Sequence, residues 1–380
     1  MPKEIVLDHL PAGYAKHGGR PNQEMDVVFR EFCSTEDGQH FISRLEGTAT
    51  AILEKISDHA GSAAAVTSSL LAIIRPDRST TVYWNEFHPT VQVRAKGKTN
   101  KGDLVFLDHI MDVERLILPN ALIPADAGVC YVFSFGWRKG LFFDYGPLLH
   151  GDNRRDREYD LGLMLGYCYA RVLFQHIFSI SEEVWTEMFS QGWFPFSYLS
   201  TNLVKSMIDR AAEKLPIDDQ LEEFSAEVSK VLPTRLDDWK NDPVVSNHVE
   251  VLQRAYARFL ENDFISAASI LYPRIEGVMR TFGAMEHPGA GAAQSELARI
   301  AAGTGSIREE SLLLPHRFEV YLRDVYFASF KPGSKVDNVS RHTVSHGVVE
   351  PTRLDRKAAT VGFLILMQIV STILVTRKRA

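Results

Sequence analysis

A chain of 380 residues is long enough for two domains, and 45% hydrophobic with 24% charged residues is the make-up of an ordinary globular protein. A net charge of −6 excludes an overall basic field that would gather nucleic acid, yet beyond residue 300 there are 12 Lys and Arg against 7 Asp and Glu, leaving about −11 on the first 300. Cys33, Cys130 and Cys168 lie far apart and form no C-x-x-C pair, which argues against a zinc ribbon or redox dithiol and for reduced, buried thiols in a cytoplasmic protein.

The first 20 residues carry charges and glycines but no apolar run, so no signal peptide is expected. Residues 1–35 read as irregular, with 25–32 a short strand or helical turn. Residues 39–59 place Phe41, Ile42, Leu45, Ala51, Ile52 and Ile56 near a 3.6 spacing, which predicts a helix. An Ala/Ser-rich connection follows. β-Branched and aromatic runs then predict strands at 81–85, 90–95, 104–107 and 129–135, and residues 137–140 read as a hairpin turn into 141–144. Residues 1–155 are thus expected to form an α+β module, a curved antiparallel sheet with one amphipathic helix. The stretch from His150 to Asp160 alternates densely in charge, the pattern of a solvated loop and helix start.

Residues 156–243 read as a helical connector region. Residues 161–178 are very apolar, and Ser181-Glu182-Glu183 opens a short helix that Gly192-Trp193-Phe194-Pro195-Phe196 breaks. That aromatic loop is expected to plug a domain junction; stacking of nucleobases is the other reading, without a basic residue inside it. Helices are predicted at 202–212 and 220–231, with Pro216 and Pro233 as punctuation. From 244 onward the predicted helices are 249–260, 264–282 (capped at Asn262-Asp263, kinked or restarted at Pro273), 312–330 and 352–375, with a Gly- and Ala-rich loop over 287–306. Glu276 and Arg280 sit at i,i+4 as an exposed pair. The apolar run 360–375 falls short of the roughly 20 residues of a membrane helix. It reads as a buried core helix ended by Arg377-Lys378-Arg379, and no membrane association is expected.

Between the last two helices, Ser340-Arg341-His342-Thr343-Val344-Ser345-His346-Gly347 gathers a guanidinium and two imidazoles. Gly347 suits a left-handed C′ position, which would leave His346 at the negative end of a helical turn. His342 and His346 then share a face, while Arg341 lies about 140° from His346 and must reach round for both to touch one phosphate. A structural reading is also open, with Arg341 paired to a carboxylate such as Glu276 and His346 capping its turn. Zinc on His342 and His346 lacks a third ligand and a general base, Thr343 and Val344 standing between them. His287-Pro288-Gly289-Ala290-Gly291 resembles a phosphate loop only superficially, since no lysine follows and no strand precedes.

Taken with Phe264-Ile265-Ser266-Ala267-Ala268, then Tyr272-Pro273-Arg274-Ile275-Glu276-Gly277 and Arg280, and with a closing apolar helix, the spacing Arg341-x-x-x-x-His346 resembles the HEPN superfamily over about residues 245–377. The resemblance implies a HEPN-like four-helix bundle over 244–380 after the α+β module. It implies a metal-independent endoribonuclease, a toxin or antiviral defence effector, with no cofactor, whose two motif copies meet across the cleft of a homodimer. His346 would be acid and base, Arg341 the phosphate clamp and His342 a helper. Glu276 would orient Arg341 or a backbone group, and Arg274 and Arg280 would line the RNA path. RNA and a second copy are the expected partners, with an antitoxin or trigger ligand unidentified; the sheet-bearing N-terminal part would gate the site or recognise a trigger. The alternative is a non-catalytic HEPN-like nucleotide- or RNA-binding or dimerisation module of a sensor or scaffold.

Overall fold

The protein is α+β, an N-terminal antiparallel sheet followed by a helical region, in a computed structural model that describes residues 2–57, 62–149, 156–286, 288, 293–331, 333, 336 and 338–377. It divides into two compact units, Met1–Val93 with Val113–Gln175, and Arg94–Asp112 with His176–Ala380.

The first unit is built from β1 (Lys3–Val6), β2 (Tyr14–Ala15), β3 (Val27–Val28), β4 (Arg30–Ser34), α1 (Gln39–Ile56), α2 (Ala63–Val66), β5 (Leu70–Ile74) and β6 (Ser79–Trp84). The chain crosses to the second unit within β7 (Thr90–Ala95) and returns within β8 (Ile110–Ile117), continuing as β9 (Gly128–Phe135), β10 (Arg138–Asp144) and α3 (Leu161–Leu173) before it passes to the second unit for good at the start of α4 (Gln175–Phe178). Six strands form one sheet in the order β1-β6-β5-β9-β10-β4, every pairing antiparallel. Leu70, Ala72 and Ile74 of β5 pack on the buried stripe of α1, Leu45, Ile52 and Ile56 among it. Leu71 and Ile73 face the other way, toward Leu165, Cys168 and Val172 of α3.

Both faces are therefore covered, and the single helix expected for this sheet is corrected to two. A strand buried on both faces has no polar alternation, so β5 reads as part of the apolar connection. The 104–107 strand is absent; Leu104, Val105 and Phe106 are exposed, and the strand lies at β8 instead. The β9–β10 turn falls at Gly136-Trp137, with Gly136 at φ 61°, while Arg138 and Lys139 already pair with Phe135 and Ser134. All three cysteines are free and buried, and burial pushes the Cys33 and Cys130 thiols up to about 12.

The second unit holds α5 (Glu182–Ser190), α6 (Thr201–Ala212), α7 (Leu221–Trp239), α8 (Ser246–Leu260), α9 (Phe264–Glu286), α10 (Gln294–Ala302), α11 (Pro315–Tyr321) prolonged by a π-turn (Leu322–Tyr326), α12 (Arg341–Ser345) and α13 (Arg356–Arg377). Pro233 lies inside α7 rather than ending it, and Pro273 lies within α9. One continuous apolar core runs from Trp185 through Trp239 and Leu252 to Val375, so the connector region and the last helices share an interior. Trp193, Phe194 and Phe196 belong to that interior, each at most 1% exposed. They plug the unit itself and offer no face to a nucleobase.

At its centre α13 is buried on all sides, packing on α7 and α9. It is long and apolar enough to cross a membrane, but 94% of its apolar window is buried inside the fold. Its polar groups find partners there. Gln368 accepts from the Ser197 N–H at 2.9 Å and donates to the Leu313 carbonyl at 3.1 Å, and Thr360 meets Ser225 at 2.9 Å. Gly362 is what lets α9 approach, since a Cβ there would fall 2.7 Å from Leu271. Arg377 pairs with Asp242 at 3.0 Å; Lys378 and Arg379, like His59, residues 150–155 and four of the five residues at 287–291, lie outside the described residues.

Candidate functional site

The Arg/His stretch begins with a tightly specified turn. Ser340 is the N-cap of α12: its hydroxyl accepts from the Thr343 N–H at 3.3 Å, and the Thr343 hydroxyl accepts from the Ser340 N–H at 2.8 Å. The same serine hydroxyl donates to the Ala328 carbonyl at 2.8 Å, tying the turn to the segment after α11. At the other end Gly347 is left-handed, φ 64°, and Val348 and Gly347 return hydrogen bonds to Thr343 and Val344, both at 3.1 Å. The expected glycine C′ is present, and α12 is a single turn with His346 as its C-cap.

Arg341 faces inward and His346 outward. The Arg341 Nε pairs with Oε2 of Glu276, a carboxylate on α9 that is 3% exposed. On the other oxygen, Oε1, Arg280 donates from its Nε at 2.7 Å. Glu276 and Arg280, expected as an exposed i,i+4 pair, thus form a triad around a buried carboxylate with two cations on one anion. The Arg341 side chain keeps 25% exposure and that of Arg280 45%.

The imidazoles divide the work differently. The Gln294 Oε1 accepts from His342 Nε2 at 2.8 Å, which places a proton on Nε2 and leaves Nδ1 as the basic nitrogen of the neutral ring. Burial, the Arg341 cation and His346 hold the His342 pKa below its ordinary value, with Glu276 pulling the other way. His346 is exposed, its ring parallel to that of His342 within 7° at 6.2 Å and tilted 60° from Phe330 at 5.7 Å. Parallel rings do not converge on one ion, and among the described residues no third ligand joins them.

The structure brings Arg341, His342, His346, Glu276 and Arg280 together and sets Arg274 apart. Arg274 turns to α8, where its guanidinium lies 3.4 Å from His248 Nδ1. His248 Nε2 meets the Thr281 hydroxyl at 3.0 Å, and that hydroxyl donates to the Gly277 carbonyl at 3.0 Å, so His248 is the donor. Gln294 and His248 had no signal in the sequence: the first opens α10, inside what reads as a Gly/Ala loop, and the second sits alone on an amphipathic helix.

Among the described residues, the one group whose atoms could converge on a metal is in the first unit, where the ligand atoms of Glu31, Cys33 and His40 lie within 4.8 Å of one another. Those atoms already have uses. Glu31 Oε1 takes the Tyr14 hydroxyl at 2.9 Å and His40 Nε2 at 3.0 Å, and the Arg44 cation lies 3.9 Å from Oε2. A nearby guanidinium and a protonated thiol both disfavour a cation there. No family model, no characterised protein and no solved structure matches this chain.

Proposed function

We propose that the chain is a metal-independent endoribonuclease of the HEPN type, with α8, α9, α11 and its π-turn, and α13 as the four-helix bundle and α12 as the catalytic turn. The observation that carries this reading is the division of labour on α12: a guanidinium anchored by a buried carboxylate yet partly exposed, and an exposed imidazole five residues on. Cleavage of RNA without a metal requires removal of the 2′-hydroxyl proton, attack of that oxygen on phosphorus, and protonation of the departing 5′-oxygen. The products are a 2′,3′-cyclic phosphate and a 5′-hydroxyl.

In this reading His346 exchanges the proton, as an imidazole near neutral pH does well. Arg341, relieved of rotamer freedom by Glu276, presents its remaining N–H groups to the charge that develops on the phosphorane. His342 supplies a neutral neighbour whose orientation Gln294 fixes. Arg341 and His346 leave α12 in different directions, so one protomer offers them to one phosphate poorly. A second copy across a shared cleft would bring Arg341 of one chain to His346 of the other, the arrangement that the HEPN resemblance implies. A toxin or defence role follows from the same resemblance.

Incubation of the purified chain with RNA in EDTA tests this. Products ending in 2′,3′-cyclic phosphate that disappear with Arg341→Ala or His346→Ala are expected; cleavage indifferent to both changes would refute the assignment. One observation favours the second reading, a non-catalytic HEPN-like nucleotide- or RNA-binding or dimerisation module: the guanidinium of Arg341 is already engaged by Glu276. RNA that binds and stays intact, with binding lost in Arg341→Ala, would select it.

A further inference from the structure

We propose that the first unit binds a small amphipathic anion, an apolar body ending in one carboxylate or phosphate monoester, in the cavity between α1 and the segment that follows β1. That cavity measures about 290 Å³, near the lower end of the roughly 300–1,000 Å³ typical of small-molecule sites. Its room comes from the sequence of α1. Ser43, Gly47, Ala51 and Lys55 recur once per turn along one face, so three small residues in succession leave the helix surface low where a long side chain would close it. A Cβ built on Gly47 meets nothing within 4 Å.

The opposite wall is held in place by Gly13. At φ +101° this residue passes so close to β3 that a Cβ would fall 2.2 Å from the Val28 carbonyl oxygen, and only glycine allows that path. Ile52, Ile74 and Phe143 make an apolar floor.

Of the charged side chains in the lining, Arg44 and Lys55 are cations and Asp8 is the anion, beside the neutral hydroxyls of Tyr14, Ser43, Thr48 and Tyr145. Lys55 pairs with Asp8 at 2.9 Å at the exposed edge. Arg44 is different. Its guanidinium carbon lies 3.2 Å from the centre of the Tyr14 ring, a cation–π contact that holds the group against the cavity wall. Its buried Nε has no hydrogen-bond partner, and the nearest carboxylate oxygen, on Glu31, stands 3.9 Å away, too far to accept from it. Since Nε is sealed from the cavity, the donors left for a ligand are the two terminal nitrogens of Arg44, which make no hydrogen bond among the described residues; above an apolar floor they fit an anionic head that takes two N–H bonds and a tail that leaves water. Apolar burial alone would also accept a neutral alcohol; the arginine is what discriminates.

Calorimetric titration of the full chain with octanoate and with octyl phosphate tests the proposal, with octan-1-ol and octylamine as charge controls. One-to-one binding of at least one anion, about tenfold or more tighter than the alcohol, is expected. The anion of higher affinity identifies the head group. Gly47→Leu should abolish binding by filling the cavity, with Ala51→Phe as a second filler should the first unfold in a thermal melt. Arg44→Gln should bring the anions down to the alcohol. The proposal fails if neither anion binds more tightly than octan-1-ol, or if anion binding survives the folded filler variant or Arg44→Gln unchanged. RNA cleavage plays no part in this readout, so it stands or falls apart from the ribonuclease reading.

Discussion

Two sets of arginine and histidine hang on α9, and only one resembles a reactive site. Arg274 and His248 close on each other, with Thr281 taking the second imidazole nitrogen and with no carboxylate in the set. Arg280 and Arg341 instead share buried Glu276, while His346 stays in solvent. In the first set burial and the arginine cation lower the histidine pKa without an opposing charge; in the second Glu276 works against the same two effects at His342. Proximity of a guanidinium to an imidazole is therefore not what marks a candidate centre. A buried anion that anchors the cation and leaves an imidazole free does.

The largest way to break this comparison is kinetic. Arg341→Ala and His346→Ala are each expected to slow RNA cleavage about 10²–10⁴-fold in a single-turnover assay. Arg274→Ala should leave the rate within a few-fold, and an equal loss there would erase the distinction between the two sets. Next comes stability. Glu276→Gln removes the shared anion and leaves two guanidinia facing a neutral amide, so urea unfolding should report a loss of about 2 kcal/mol. Arg280→Ala should cost less, because its side chain is 45% exposed and Arg341 remains to neutralise the carboxylate.

A third test uses pH. His248 and His342 both titrate below their ordinary value of 6.5 in the folded chain, so the unfolded chain takes up protons first as pH falls. Stability should be full above 6.5, decline as pH drops through it, and level off once the folded-state values are passed. Unfolding measured across pH 5–8 should show a shallower decline in His248→Gln. The smallest effect sharpens the closed set. A Cβ at Gly277 would lie 3.2 Å from the His248 ring, so Gly277→Ala should cost on the order of 1 kcal/mol despite a better helix propensity. In a His248→Ala background the same change should instead stabilise.

Legibility followed the range of the interactions. Helix α1 and strand β7 were readable because their patterning or β-branched composition is local, as were Ser181 and Gly347 as cap residues. The central strand β5 was not, because burial on both faces leaves a plain apolar run. Helix α10 hid in a Gly- and Ala-rich stretch whose small residues, Ala298, Ala301 and Ala302, are small because they are buried. Pro233 reads as a break after a helix ending at 231, yet tertiary packing carries α7 through it, while Pro273 reads as a kink or restart within its helix and lies inside α9.

The sequence by itself determined most of the α12 turn, because the Ser340–Thr343 cap, the left-handed Gly347 and the bonds that close on Thr343 all run between residues 338 and 349, while the Ser340 bond to Ala328 ties it to a segment outside. It also determined that His342 and His346 share a face. Only the tertiary structure decided which way Arg341 turns, since a charged side chain follows the nearest buried opposite charge and that charge sits on α9. The burial of the long apolar helix was already legible in the short, hydroxyl-bearing apolar run at 360–375, but the tertiary structure likewise decided that Arg274 belongs to His248 and that Gln294 orients His342. Each of these is a contact between distant segments, where the energy depends on what folding brings alongside and not on spacing along the chain.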